Sequence, residues 1–185
     1  MLGTHNLTHT GTINGFTTTS HIVTNGTGKL VKTNVGASFA IFPVGPNATT
    51  LNSVAIFNGS GFNYGVRVEV GINPTIDAPL DAVNRTWFVT PFGGNPASVN
   101  VNFMYEAAHC NAGWTPPPAQ LELGLHTGVW NVVQVNLTQA GTDPYQVPTL
   151  VPNFGNGIEA PLVLANIGAI LAVSNGVTVN YFNGN

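Results

Sequence analysis

Charged side chains are nearly missing from this chain. Its 185 residues include four Lys and Arg and seven Asp and Glu, 6% of the total, against roughly 25% in an ordinary soluble domain. Acid–base pairs, metal cages and nucleic-acid clefts are built mostly from such side chains and histidine, so the scarcity argues against catalysis. Phosphate-backbone binding needs several Lys or Arg in one place, and the sequence has no basic stripe, which excludes nucleic acid as a partner. The single cysteine, Cys110, allows no internal disulfide. No run approaches the ~20 apolar residues of a membrane-spanning helix, and the longest apolar stretch, Ile167 to Val173, is strand-sized; membrane insertion is not expected. Met1 is not followed by a basic segment and an apolar core, so no signal peptide is read here and export has to be inferred from elsewhere.

Helical periodicity is missing too: Gly, Asn or Pro interrupts every candidate window. Strand alternation takes its place. His21 to Thr24 and Lys29 to Thr33 flank Asn25-Gly26-Thr27-Gly28, and Ser53 to Phe57 and Tyr64 to Gly71 flank Asn58-Gly59-Ser60-Gly61, so each pair reads as a hairpin. Val66, Val68 and Val70 fall on one strand face, the core side, with Arg67 and Glu69 on a wet face. Further strands read at Val83 to Thr90, Ser98 to Glu106, Gln120 to His126, Val129 to Leu137, Leu162 to Ala165, Ile170 to Val173 and Val177 to Phe182. The segment Gly141 to Ala160 reads as a turn-rich crossing between sheets. The fold class expected is all-β, a mostly antiparallel β-sandwich of jelly-roll type with short turns and little helix. One module over residues 1–173 is expected, with 174–185 a linker or the first strand of a following domain. The expected core comprises Ile41, Phe42, Val54, Ile56, Val66, Val68, Trp87, Val89, Val101, Phe103, Leu121, Val132 and Val135.

The succession HIVTNGTGKLVKTNVG (21–36), FPVG (42–45) and VNRTWFVTP (83–91) resembles modules of large surface and secreted proteins of Bacteroidota, in which a TNGTG turn, an FPVG strand and a VNRTW strand recur in that order. The ending NGVTVNYFNGN (175–185) resembles the junction that leads to a C-terminal sorting domain of the type IX secretion system. The likeness covers residues 15–135 and that ending. It implies an extracellular or cell-surface location and a β-rich, non-catalytic module, and it carries over no catalytic residue. The sorting domain itself is missing, and the Pro-rich segment near His109-Cys110 reads as an insertion.

Glu106, His109 and Cys110 are the tightest cluster of reactive side chains. Adjacent residues on an extended chain point to opposite faces, so His109 and Cys110 do not form a nucleophile–base pair, and zinc would need three or four His or Cys ligands. Asp77 and Asp81 flank a Pro79 turn and could ligate calcium with backbone carbonyls, although an Asp-x-Asp-x-Asp-Gly loop is absent; their plain role is turn capping. Arg85 shares a strand face with Trp87 and has a structural role near the core. Six N-x-Ser/Thr sequons, at Asn6, Asn25, Asn47, Asn58, Asn84 and Asn136, carry little weight in a chain this rich in Asn and Thr.

Two functional readings follow. In the first, the chain is a structural or adhesive module whose partners are other copies of itself or neighbouring modules. An uncharged terminal strand, with Val177, Val179 and Tyr181 on one face, would add to a neighbour's sheet, because neither the first 28 nor the last 26 residues carry a charged side chain. In the second, the chain binds surface glycans through loop aromatics, with Trp114, Tyr105 and Asn111 as the candidate contacts and Tyr145 nearby. Trp87 and Trp130 lie mid-strand and read as core. An accessory domain of a hydrolase is the weakest reading.

Overall fold

Two β-sheets face each other because their strands alternate apolar and polar residues and bury the apolar sides between them. The computed structural model describes residues 1–58, 60–114 and 120–170. Thirteen strands occur in that range: β1 (Leu7–His9), β2 (Ile22–Val23), β3 (Leu30–Val35), β4 (Ala40–Phe42), β5 (Val44–Gly45), β6 (Val54–Phe57), β7 (Phe62–Val70), β8 (Arg85–Phe92), β9 (Ser98–Tyr105), β10 (Leu121–His126), β11 (Trp130–Leu137), β12 (Tyr145–Pro152) and β13 (Ala160–Asn166). The helical content of the described residues is two short 3-10 turns, Pro79–Asp81 and Ala107–His109.

One sheet has seven strands in the order β1-β3-β7-β8-β13-β10-β11, the other has four in the order β12-β9-β6-β4, and β2 pairs with β5. Pairing is antiparallel except at β1–β3 and β2–β5. Leu30, Val66, Val68, Trp87, Leu123 and Leu162 of the large sheet meet Phe42, Val54, Ile56, Val101, Phe103 and Val147 of the small one in a single core cluster. The fold is therefore the all-β sandwich that the alternation predicts. A second, smaller cluster lies on the outer side of the large sheet, where Ile76, Ala82, Ala169 and Ile170 cover Trp130, Val163 and Ala165. Trp130 is buried, but in this outer cluster.

Neither expected hairpin forms. β2 pairs in parallel with β5, and β3 lies between β1 and β7. The TNGTG glycines serve a different purpose: a Cβ on Gly26 would sit 2.4 Å from the Gly3 carbonyl oxygen and one on Gly28 2.3 Å from that of His5. They admit the N-terminal segment, which then adds β1 to the sheet edge. The Asn58 turn carries the chain from β6 in the small sheet to β7 in the large one; there the Asn58 Oδ1 accepts from the Ser60 N–H at 3.1 Å.

The stretch Gly141 to Ala160 does cross between sheets, but it contains β12, which pairs with β9 along eight residues. Pro148 and Pro152 hid this strand, since proline donates no ladder hydrogen bond; both are tolerated because β12 is an edge. Three expected core residues are corrected. Ile41 is 36% exposed beside the fully buried Phe42, as neighbours on one strand must be. Val132 is half-buried against the outer cluster. Val135 is 50% exposed, beside Asn136 at φ 56° on a strand with shifted register. At β7 the two faces are as expected, with Val66 and Val68 in the core and Arg67 on the opposite face beside Glu69, but Val70 at the strand end is exposed and Arg67 is buried under Phe88 and Glu159.

Strand expectations at 171–173 and 177–182, the domain boundary at 173/174 and the assembly residues Val177, Val179 and Tyr181 lie outside the described residues. Trp87 is fully buried, packs against Phe103 with ring centroids 5.1 Å apart and donates from Nε1 to the Asn52 carbonyl at 3.2 Å. Trp87→Ala should therefore destabilise by ~3–5 kcal/mol in urea denaturation; a loss below about 1 kcal/mol would contradict the assigned core position.

Candidate functional site

The reactive side chains of the sequence converge on one buried asparagine. Asn52, fully buried between the sheets, accepts a hydrogen bond at Oδ1 from Arg85 Nε at 2.8 Å and donates from Nδ2 to His109 Nδ1 at 3.0 Å. Its backbone N–H donates to the Val44 carbonyl at 2.9 Å, and its own carbonyl accepts from Trp87. Arg85 completes its bonding on the Asn84 carbonyl at 2.6 Å. Among the described residues this buried guanidinium has only neutral oxygens as hydrogen-bond partners, and burial lowers its pKa from the ordinary value.

His109 closes the 3-10 turn that follows β9. The Glu106 backbone N–H also donates to its Nδ1, at 3.2 Å. Two donors on Nδ1 place the ring proton on Nε2, which faces Glu106 Oε2 at 3.6 Å. That contact is too long to hold the ring protonated: burial, reinforced by the Arg85 charge, pushes the imidazole down to about 4. Burial likewise pushes the Cys110 thiol up to about 12, against the pull of Arg85. Its Sγ lies 3.7 Å from the Glu106 carbonyl. A histidine that stays neutral and a thiol that stays protonated supply no activated nucleophile.

The expected sugar platform does come together, but facing inward. Trp114 is 4% exposed and Tyr105 is fully buried. Their rings meet edge to face at 5.8 Å, and Tyr145 lies 5.5 Å from Tyr105. The Tyr105 hydroxyl donates to Gln139, and burial raises its pKa. Asn111 donates from Nδ2 to the Pro79 carbonyl at 2.8 Å, tying the loop to the other 3-10 turn. These aromatics close the end of the sandwich, the burial a large ring gains wherever neighbouring strands leave room for it. Trp114 offers no open face for a sugar.

Asp77 is exposed and Asp81 ends the Pro79–Asp81 turn; among the described residues no group of three or more His, Cys, Asp or Glu side chains is placed to hold a metal ion. Among those residues no helix is long and apolar enough to cross a membrane. Sequence reasoning missed Asn52, whose role depends on contacts 33 and 57 residues away. It also missed Lys32, read only as part of a strand, which lines an open cleft of about 580 Å³. No protein-family model, curated protein or solved structure matches the chain.

Two measurements check this geometry. A group whose pKa is depressed by folding contributes stability that is complete above its unfolded value and is lost as pH falls. For His109 the window runs from 6.5 down to about 4, so wild-type stability should drop there by about 3 kcal/mol relative to His109→Gln, whose amide oxygen still accepts from Asn52. Parallel pH profiles would contradict it. Alkylation of Cys110 at pH 8 should run at least ~100-fold slower in the folded chain than in urea, since the thiolate fraction falls tenfold per pKa unit.

Proposed function

We propose that this chain is a non-catalytic β-sandwich module of an exported cell-surface protein, serving adhesion or assembly through the edges of its sheets. The observation that carries the reading is β11. It is an eight-residue edge strand that pairs with β10 alone, and no charged residue occurs from Leu123 to Thr142. Edge strands of soluble monomers are ordinarily guarded by charge, proline or extreme shortness. Here β1 and β4 are short, with three residues each, and β12 carries prolines, whereas β11 is guarded by its shifted register, Asn136 and the bond of Gln134 to Leu150 of β12, with neither charge nor proline. A neighbouring strand can add to such an edge through main-chain hydrogen bonds.

Export is supported by the resemblance to Bacteroidota surface modules, and the motifs behind it have structural work to do. Thr24 of TNGTG donates its N–H to the Gly45 carbonyl of FPVG at 2.9 Å; Val44 of FPVG accepts from Asn52, and Asn52 accepts from Arg85 and Trp87 of VNRTW. The three motifs form one hydrogen-bonded frame, which favours a scaffold over an enzyme. Trp114 and Tyr105, buried as they are, no longer support the glycan reading at that place. Partners are further copies of the chain or adjoining modules.

Sedimentation over a concentration series tests the assembly. The intact chain should self-associate, and Val135→Lys, on a half-exposed β11 position, should shift it to monomer with the fold unchanged by circular dichroism. Deleting residues 174–185 tests the terminal strand as the added element. A monomer at high concentration in the intact chain would contradict the proposal, and assembly unaffected by both changes would remove the edge mechanism.

A further inference from the structure

Among the described residues, Lys32 is the one Lys or Arg with no polar partner. Lys29 and Arg67 are ion-paired with Glu159, and Arg85 is held by Asn52. The Lys32 residue is 4% exposed, and among the described residues, which include all seven Asp and Glu, no carboxylate lies within ion-pair distance of it and no hydrogen bond involves its ammonium. Its position follows from strand geometry: it shares a face with Leu30, opposite Tyr64 of β7, and therefore looks into the space between the sheets. The Phe42 ring of the opposite sheet lies 5.9 Å from Nζ. The buried stem removes part of the hydration of the charge, the ring contact offsets part of that loss, and no carboxylate completes it.

Lys32 lines a cleft whose walls include residues of β3 and β4. The cleft measures about 580 Å³ and is walled by Thr10, Thr12, Thr33 and Ser38, with Phe39 at its side. A ligand pocket typically measures roughly 300–1,000 Å³. The register shift between Lys32 and Val35, with Asn34 at φ 54°, bends β3 away from β7 at this point. Phe39 is 56% exposed and its ring is braced by Phe57 at 5.7 Å. Beside Lys32, across the parallel β1–β3 pair, His9 holds a buried Nδ1 with no hydrogen-bond partner.

These features define the ligand by its chemistry. One cation calls for one negative charge, and a phosphate group would call for more than one. Four Ser and Thr residues in the lining suit a ligand with its own hydroxyls, and an exposed, braced aromatic ring suits the apolar face of a sugar. We propose that this cleft binds a uronic-acid residue of a saccharide, with the carboxylate on Lys32 Nζ and the ring against Phe39. The inference goes beyond the assembly reading and does not depend on it, since a monomer can hold the sugar equally well.

The test is titration of the intact chain with sodium glucuronate and sodium galacturonate, followed by amide and lysine side-chain NMR shifts, with glucose, acetate and inorganic phosphate as separate arms. Saturable shifts are expected at Thr10–Thr12 and Thr33–Ile41 with the uronates, and binding about tenfold weaker or worse for glucose and for Lys32→Met. Lys32→Met keeps a buried apolar stem of similar shape and removes only the unpaired charge at its tip, so it should fold. Phe39→Ala, at an exposed ring, provides a second variant that should weaken uronate binding and leave the acetate arm unchanged. No saturable uronate shift, or uronate binding unchanged in both variants, overturns the proposal. Glucose binding as well as the uronates overturns the role of Lys32, and acetate or phosphate matching the uronates reduces the cleft to a simple anion site and overturns the saccharide.

Discussion

Asn52 is the group on which this sandwich depends. A primary amide between two β-sheets can leave as many as four hydrogen-bonding positions unsatisfied, and an unmade bond in the interior costs roughly 1–3 kcal/mol. Here its side chain and backbone join β5, β8 and the 3-10 turn after β9, so each of those elements is held in register by the same residue. Amide, guanidinium and imidazole also satisfy one another: Arg85 needs an oxygen, His109 needs a donor at Nδ1, and Asn52 presents both. Such a network specifies the fold only while it is complete. Trp87, the largest side chain of the core, is oriented by the Asn52 carbonyl, which connects apolar packing to this polar centre.

The few charges of the chain are largely drawn inward. Arg67 stacks on the Phe88 ring, with 3.5 Å from its Cζ to the centroid, and is gripped by Glu159 and Glu69. Lys29 reaches the same Glu159 at 2.8 Å. Burial alone would raise the Glu159 pKa, but the bonds from Arg67 and Lys29 hold it below the ordinary carboxylate value. Glu122, 3% exposed, accepts the Ile170 N–H at 2.6 Å and ties the outer apolar cover to β10; there burial dominates and its pKa rises. Hydration of the outside is left to hydroxyls and amides, which repel nothing.

Strand alternation was legible wherever both partners of a ladder were ordinary residues, as at Leu121–His126 and Ser98–Tyr105. The pairing of strands was not, because Asn and Gly mark a bend without naming the neighbour. At Gly26 and Gly28 the glycines answered to a backbone more than twenty residues earlier in the chain. β12 was concealed by prolines that only an edge position allows. Trp114 illustrates a different limit: the sequence places it in a loop, and only the arrangement of β9 and β12 brings Tyr105 and Tyr145 close enough to bury it. Spacing alone separated His109 from Cys110, whereas the burial of both beside Arg85 came from folding.

The unequal edges of the two sheets fix the arithmetic of any assembly. β12 is closed to strand addition by Pro148 and Pro152 and by Gln134, whose Oε1 takes the Leu150 N–H at 2.8 Å. A β11 edge meeting another β11 edge antiparallel would use the same surface twice, giving a two-fold dimer with a continuous sheet and no free β11 left; growth would stop at two. Only a pairing of β11 with a different edge, a terminal strand of the next copy included, leaves a new β11 exposed at each step. Whether the proposed assembly would stop at pairs or grow into threads therefore turns on which strand reaches β11 first.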